Sequence, residues 1–332
     1  MSRSVRLVLA SLGLFLVLFP LTAARPGQPA TLNADEPAYF LMALSLVEDG
    51  DLRCDLGDVL RAFDHYQYLP LNNLIVMSPD DWETVYFGKP YIYSVLAAPA
   101  AALLGVNGFH AFNMLLVVGM IWMGTVYLRR FNSDAVAALY SSAFFLLSSA
   151  FAYVFWIHPE VLNMFSVTAC LFLAFHRPGD EGSRSGGSGE PDGPEGEVPA
   201  ARAAAGRSPL RRLGATLAGP ALRPVWSGAV LALGVYNKPM LAALGVPALW
   251  LFFRRRRWRG ASSWVGGAVL GMAVIVLGSM LLTSRPTAYL GVSRGGINVA
   301  EPGVFGESID KLRRISEARA AQTEGPTSNS FE

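Results

Sequence analysis

The sequence predicts an all-α polytopic membrane protein with about seven transmembrane helices. Its mean hydropathy is +0.36, and 52% of its 332 residues are hydrophobic while only 16% are charged. The arginines cluster at the ends of long uncharged runs. That pattern orients membrane helices and is not the basic surface that binds nucleic acid. The composition therefore excludes an ordinary soluble domain and indicates a chain that crosses a bilayer several times.

The first apolar run, residues 5–24, follows Arg3 and Arg6. The small residues Thr22-Ala23-Ala24 leave open the possibility of a cleaved signal peptide. The run is about as long as a bilayer-spanning helix and longer than a usual signal core, so we expect an uncleaved anchor.

The later apolar runs set the predicted topology. They cover residues 91–106, 109–128, 135–157, 161–175, 225–236, 239–253 and 263–283. If residues 91–106 do not cross, every arginine cluster falls on one face, as the positive-inside rule requires. Pro99 also interrupts this short, Ala-rich segment. We therefore expect 91–106 to be an interfacial or re-entrant helix, with the N-terminus inside and the C-terminus outside.

Four parts follow from this topology. The N-terminal part, residues 1–176, holds the first spans and a large first outer loop at 25–107 with juxtamembrane helices. A linker follows at 177–224, and a short helical hairpin and the seventh span occupy 225–283. The last part, 284–332, is an extracytoplasmic tail. The linker is rich in Gly, Ser, Pro, Arg and Ala and cannot build a core, so we expect cytoplasmic disorder. We expect the tail to be the start of an outer loop that is cut before its next span.

An acidic pair, Asp35-Glu36, follows the first span. The mostly apolar stretch from there to Gly50 has acidic ends and predicts a helix lying in the membrane interface. One interpretation of the pair is local: Asp35 caps the helix and Glu36 interacts with its dipole. An acidic pair beside a membrane span is also a candidate functional site.

Other polar side chains are predicted on the same outer face. They are Lys89 before the shallow helix, His158 and Glu160 between two spans, and Lys238 at the apex of the hairpin. Each has an ordinary explanation alone, since interfacial lysines are often anchors and a single histidine is often structural. Together, lysines suit a phosphate group, and a carboxylate suits proton abstraction from a hydroxyl or amine or the binding of a divalent ion.

Four motifs, Asp35-Glu36, Gly88-Lys89-Pro90, His158-Pro159-Glu160 and Asn237-Lys238-Pro239, resemble those of GT-C membrane glycosyltransferases. The likeness is to the polyprenyl-phosphate-sugar-dependent group, which includes protein O-mannosyltransferases and the bacterial aminoarabinose transferase. It covers roughly residues 5–290. It implies inverting transfer of a hexosyl or pentosyl group from a polyprenyl-phosphate donor to a lipid, glycan or protein acceptor, outside the bacterial inner membrane.

The resemblance also implies roles for six residues: Asp35 and Glu36 in catalysis, Lys89 and Lys238 in binding the donor phosphate, and His158 and Glu160 in support. Gly88 and Tyr91 stand where the family often has an acidic residue and a second proline. The resemblance therefore leaves metal dependence open, and a divalent cation is the only cofactor considered.

Members of that group usually continue with several more spans, so the likeness is to their N-terminal conserved module. A non-catalytic transporter or a lipid-linked-sugar-binding subunit is the alternative, because short broken helices are typical of transporters too. The polar residues gather at one predicted surface and are absent from the span centres, which favours the enzyme. We expect membrane and lipid-linked partners and no nucleic acid.

Overall fold

The fold was analysed in a computed structural model, which describes residues 1–22, 32–66, 74–80, 84–176, 219, 222–290 and 292–297. The chain is mostly helical. The predicted linker falls almost wholly outside the described residues, as does most of the predicted tail.

The described helices, in chain order, are α1 (Arg3–Leu18), α2 (Glu36–Glu48), α3 (Leu56–Tyr66), α4 (Ile92–Leu104), α5 (Val106–Leu128), α6 (Asp134–Leu146), α7 (Ser149–Ala152), α8 (Glu160–Phe175), α9 (Arg223–Asn237), α10 (Val246–Arg254) and α11 (Trp258–Thr283). Turns of 3₁₀-helix occupy Phe19–Thr22, Tyr153–Phe155 and Pro239–Gly245.

Within the described residues, three helical stretches are long and apolar enough to cross a membrane: α1 with its 3₁₀ turn, α5 and α11. A fourth arises if the pair Asp134–Leu146 and Ser149–Phe155, bent by 58°, is one span. The helices α4, α8 and the stretch Pro239–Arg254 are apolar but shorter. The chain thus has the helices of a membrane protein, while seven spans and the inside–outside assignment stay predictions.

Three short strands form a sheet in the order β2-β1-β3, with β1 at Leu74–Ser78, β2 at Tyr86–Phe87 and β3 at Ser293–Ile297. Both pairings are antiparallel: Met77 lies opposite Tyr86 on one side and Arg294 on the other. The prediction of an all-α chain was therefore wrong in this detail. A strand this short has no periodicity that separates it from a buried helical segment, and its partner β3 is remote in sequence.

The chain divides into two compact units. The first unit comprises Met1–Ser11, Leu116–Phe151 and Leu162–Val274; the second comprises Leu12–Leu115, Ala152–Val161 and Ile275–Glu332. The boundary falls inside several helices, as expected where long helices run through more than one cluster of contacts.

In the first unit, α9 and α11 pack backbone to backbone. A Cβ atom at Gly228 would overlap the Trp264 carbonyl oxygen, and one at Gly267 would overlap that of Val225. Ser227 donates to the Cys170 carbonyl oxygen at 2.7 Å and accepts from the Trp264 indole at 3.0 Å. Small residues that admit close helix approach, with buried hydroxyls bonding across helices, are typical of membrane helix packing.

In the second unit, α2 is enclosed. Its ten residues from Glu36 to Ser45 are all buried, and it contacts α4, α3 and β1. The predicted helix is present and ends where expected, because Gly50 follows it with a φ of +75°. Its surroundings differ from the expected interface: a helix that is apolar all round buries every face in protein when neighbours are available.

Candidate functional site

Asp35 occupies the N-cap position of α2, but its side chain does not cap the helix. The side chain makes no capping hydrogen bond; instead, its Oδ2 atom lies 2.5 Å from the Nζ atom of Lys89. The predicted position at the helix cap is therefore present, whereas the expected side-chain capping bond is not. Ala34, just before it, has a φ of +50°, an unfavourable value for a residue with a Cβ atom. Such backbone conformations persist where the surrounding structure holds them, often at functional sites.

Glu36 has a different role from its neighbour. Its Oε2 atom accepts a hydrogen bond from the Asn33 amide at 2.7 Å, and its Oε1 atom accepts one from the Ile157 amide at 2.9 Å. The residue is only 8% exposed. Both carboxylate oxygens thus bind backbone, so Glu36 ties the start of α2 to the loop that precedes α8.

Lys89 reaches Asp35 from the edge of the sheet. It follows β2 through Gly88, whose amide donates to the Ile75 carbonyl oxygen at 2.8 Å. A Cβ atom at Gly88 would lie 2.9 Å from the Val76 carbonyl carbon and oxygen, closer than real Cβ atoms come. The family resemblance would lead one to expect an acidic residue before Lys89. The close strand contact explains why glycine stands there instead, because a side chain would collide with the Val76 backbone.

Tyr91 then anchors the start of α4. Its hydroxyl donates to the Ile275 carbonyl oxygen on α11 at 2.6 Å. Gly278 provides the space, because a Cβ atom there would overlap that hydroxyl. The second departure from the family motif thus has a structural purpose in this chain: Tyr91 fixes the segment that carries Lys89.

His158 stands between two carboxylates. Its Nε2 atom lies 3.7 Å from the Asp35 Oδ2 atom, and its Nδ1 atom lies 3.4 Å from the Glu160 Oε1 atom, without hydrogen-bond alignment. The Tyr39 ring packs edge-on against the imidazole at 5.5 Å between centroids. The structure thus brings Asp35, Lys89, His158 and Glu160 into one cluster.

The loop that carries His158 is fixed from two sides. The buried Asn113 side chain on α5 donates to the carbonyl oxygens of Val154 (3.2 Å) and Trp156 (2.9 Å). Glu36 accepts from the next amide, that of Ile157. The imidazole therefore sits on a loop whose backbone cannot shift without breaking buried hydrogen bonds, which are costly to leave unmade.

Tyr39 and Asn113 were missed by sequence reasoning. Tyr39 is four residues after Asp35, a spacing that places both on one face of a helix, and this signal was available. Burial, aided by the charges of Tyr289, Asp35 and Glu160, raises the pKa of Tyr39 well above its usual value. Its hydroxyl therefore keeps its proton and can donate a hydrogen bond but cannot act as the base.

The four clustered side chains remain open to solvent in part. Their exposed fractions are 31% for Asp35, 14% for Lys89, 21% for His158 and 20% for Glu160. A carboxylate that can take up a proton, a cation beside it and an imidazole between two carboxylates can together support proton transfer next to a bound anion.

Within the described ranges, no group of three or more His, Cys, Asp or Glu side chains is arranged to hold a metal ion. The Asp80 carboxylate accepts from the Thr84 amide and hydroxyl and from the Ser78 hydroxyl, and these bonds lower its pKa. Its neighbour Asp81 lies outside the described residues. The predicted divalent cation is not tested by these contacts.

Lys238, the second predicted phosphate ligand, lies at the C-terminal end of α9 in the first unit. There the side-chain Nδ2 atom of the neighbouring Asn237 donates to the Asn163 Oδ1 atom at 3.2 Å. The other five predicted site residues belong to the second unit. Comparisons with protein-family models, with curated proteins and with solved structures found no match to this chain. The functional assignment consequently rests on the motifs and on the cluster around Asp35.

Proposed function

We propose that the chain is a GT-C-type glycosyltransferase. It moves a hexosyl or pentosyl group from a polyprenyl-phosphate donor to an acceptor on the extracytoplasmic face of a bacterial inner membrane, with inversion at the anomeric carbon. The acceptor is a lipid, a glycan or a protein.

The observation that carries this proposal is the contact between Asp35 and Lys89, 2.5 Å apart. A carboxylate at the start of a helix is ordinarily explained by capping, but this one forms an ion pair with a lysine from another part of the fold. Glycosyl transfer from a phosphate donor needs both groups: a base for the acceptor and a cation for the leaving phosphate. His158 and Glu160 beside the pair extend it into a site that can relay a proton.

In the proposed reaction, an acceptor hydroxyl or amine attacks the anomeric carbon from the face opposite the phosphate. The bond from the acceptor oxygen or nitrogen to that carbon forms, while the bond from the carbon to the phosphate oxygen breaks. Its electron pair stays with the polyprenyl phosphate, and the acceptor proton passes to Asp35. The step moves one negative charge from Asp35 to the departing phosphate.

Lys89 is suited to stabilise the negative charge first on Asp35 and then on the departing phosphate. Its ammonium group contacts Asp35, and its flexible stem allows the three N–H donors to turn towards another anion. Donor phosphate competes with Asp35 for Lys89, which frees the carboxylate to accept a proton. The lysine then stabilises the phosphate as its charge grows.

His158 completes the site by bridging Asp35 and Glu160. A proton received by Asp35 has a path through the imidazole to Glu160 and the partly exposed surface. The ring nitrogens lie 3.7 Å from the Asp35 oxygen and 3.4 Å from the Glu160 oxygen. A small shift of the ring when substrate binds would shorten these distances to those of hydrogen bonds.

The test is transfer of labelled sugar from polyprenyl-phosphate donors in membranes that contain the full chain. Wild type should transfer label, and Asp35→Asn should lose about 10²- to 10⁴-fold in rate, the usual contribution of a general base. Asp49→Asn is the matched control, because Asp49 lies in the same predicted loop and pairs with Arg61. It should keep nearly full activity.

Normal turnover by Asp35→Asn would contradict the proposal. Saturable donor binding that depends on Lys89, with no transfer by wild type, would identify a lipid-linked-sugar-binding subunit instead. Absence of both binding and transfer would favour the transporter alternative.

A further inference from the structure

A second charged region lies in the first unit, at the junction of α10 and α11. The side chains there line an open cavity of about 700 Å³, including Arg256, Arg257, Trp258, Arg259 and Ser263. Trp258 begins α11, one of the helices long and apolar enough to cross a membrane. The cavity therefore sits at the membrane-surface end of a candidate span.

The positive charge of this junction has no counter-charge nearby in the sequence. No Asp or Glu occurs between Glu197 and Glu301, whereas Arg254 to Arg257 and Arg259 all lie in that interval. Across the part of the chain that the structure describes, these exposed arginines take part in no ion pair. The guanidinium groups around the cavity thus remain available to an external anion.

Arginines at the end of a span also set topology, but topology needs only charge on the correct side. It does not account for three of them lining one cavity with an indole. Nor does it account for the backbone of Arg256, whose φ is +50°, a value disfavoured for any residue with a Cβ atom. The Phe253 and Trp258 rings meet at 5.1 Å, which further fixes this corner.

We infer that this cavity binds the phosphate of an anionic phospholipid, independently of the proposed sugar transfer. Guanidinium groups bind phosphate through paired, planar hydrogen bonds. The first amides of α11, like those of any helix, lack intrahelical acceptors, and such amides favour a bound anion. Trp258 has the amphipathic ring that favours the level of the head groups. Basic pockets between membrane helices are known to bind anionic head groups.

The test uses the full chain in detergent, titrated with brominated phosphatidylglycerol or brominated phosphatidylcholine of the same acyl chains, with tryptophan fluorescence as the signal. Wild type should be quenched at an about tenfold lower concentration of the anionic lipid. Arg257→Gln/Arg259→Gln should remove that preference. Arg254→Gln/Arg255→Gln removes the same charge outside the cavity and should keep the preference within about threefold.

Equal loss in the two double variants would overturn the inference, because it would mean diffuse attraction to the whole arginine cluster. Equal quenching of wild type by the two lipids would overturn it too. So would displacement of the brominated lipid by inorganic phosphate, which would make a free anion the ligand. If either double variant fails to fold, Trp258→Phe decides: it should lose most of the anionic-lipid quenching, whereas Trp250→Phe should retain it.

Discussion

The two ends of α2 look alike in the sequence and differ in the structure. Each end carries two acidic residues, Asp35-Glu36 and Glu48-Asp49, and each end pairs with a cation from a later element. At the C-terminal end, Arg61 on the next helix binds Asp49 through two hydrogen bonds of 2.7 and 3.0 Å. Asp49 is 40% exposed, so this is an ordinary surface ion pair of small energetic value.

At the N-terminal end, the pair joins parts of the chain that are far apart in sequence, and other reactive groups surround it. Lys89 comes from the sheet edge, while His158 comes from the loop before α8 and Glu160 is the first residue of that helix. The comparison teaches that an acidic pair is distinguished as a site by what other elements deliver to it, not by its own pattern.

The largest expected difference between the two ends comes from removing the cation. We predict that Lys89→Ala lowers the sugar-transfer rate by about 10²- to 10³-fold, since a preorganised charge at a leaving group contributes that much. Arg61→Ala should change the rate by less than about threefold, because its ion pair is at the surface. Initial rates at saturating donor measure both, and similar losses in the two variants would erase the proposed distinction.

Substitution of two glycines, one near each end of α2, tests the difference between the two ends further. Gly88→Ala places a Cβ atom 2.9 Å from the Val76 backbone, so we expect a loss of about 1–3 kcal/mol in unfolding free energy together with reduced transfer, because Lys89 moves. Gly50→Ala meets no atom within 4 Å but must keep a φ of +75°, which should cost about 1 kcal/mol and leave transfer unchanged. Thermal unfolding and transfer assays on both variants check this, and unaltered activity in Gly88→Ala would argue against a role for the strand contact.

A third difference concerns the second carboxylate at each end. Glu36→Gln replaces one acceptor oxygen with a donor facing either the Asn33 or the Ile157 amide, at a cost of about 1–3 kcal/mol. Glu48→Gln lies on the exposed side of the helix and should change stability by less than about 0.5 kcal/mol. Chemical denaturation in detergent measures both, with retention of the Asp35–Lys89 contact checked by residual transfer. An equally small effect in Glu36→Gln would mean that Glu36 does not tie α2 to the loop.

The smallest effect is a pH dependence at the C-terminal end. Burial raises the pKa of Asp58 to about 7, although the hydrogen bond that its carboxylate accepts from the Asp55 backbone amide and the positive charge of Arg61 both oppose the rise. Since the folded chain holds this proton more tightly than the unfolded chain, the stabilisation is complete below about pH 4 and is lost progressively as the pH rises from there through 7. We expect a decrease of about 1 kcal/mol between about pH 6 and about pH 8. Asp58→Asn should flatten the dependence, and an unchanged slope would contradict the assignment.

Local patterns predicted the helices well. The helix between Asp35 and Gly50, the short helix within 91–106 and the helix at 225–236 are present, because runs of apolar residues with Gly and Pro at their ends carry that information locally. The predicted second arm, 239–253, is instead a 3₁₀ turn followed by α10. The β1–β3 pairing and the Tyr91–Ile275 bond could not be predicted in this way. Each joins segments distant in sequence, and nothing in either segment specifies its partner.

The candidate site shows the same limit. Charge and family resemblance grouped six polar residues on one predicted outer face, and that face stays a prediction. Within the second unit, the structure brings together Asp35, Lys89, His158 and Glu160. The separate positions of Asp35 and Glu36 could not be predicted, because they depend on the Ile157 amide meeting only one of the two. The roles themselves remain predictions for the assays described above.

The enclosure of α2 has a consequence for how the chain is made. Ribosomes synthesise a protein from its N-terminus onwards. The α2 segment therefore leaves the translocation machinery before α4 and the loop of residues 153–158 have been made. Thirteen mostly apolar residues must then wait without the neighbours that later surround them. The head-group layer of the bilayer is the surface best able to hold such a helix. We therefore expect α2 to lie in the membrane interface, as its sequence suggests, only during biogenesis. It would leave the interface when the later segments have been made and can pack around it.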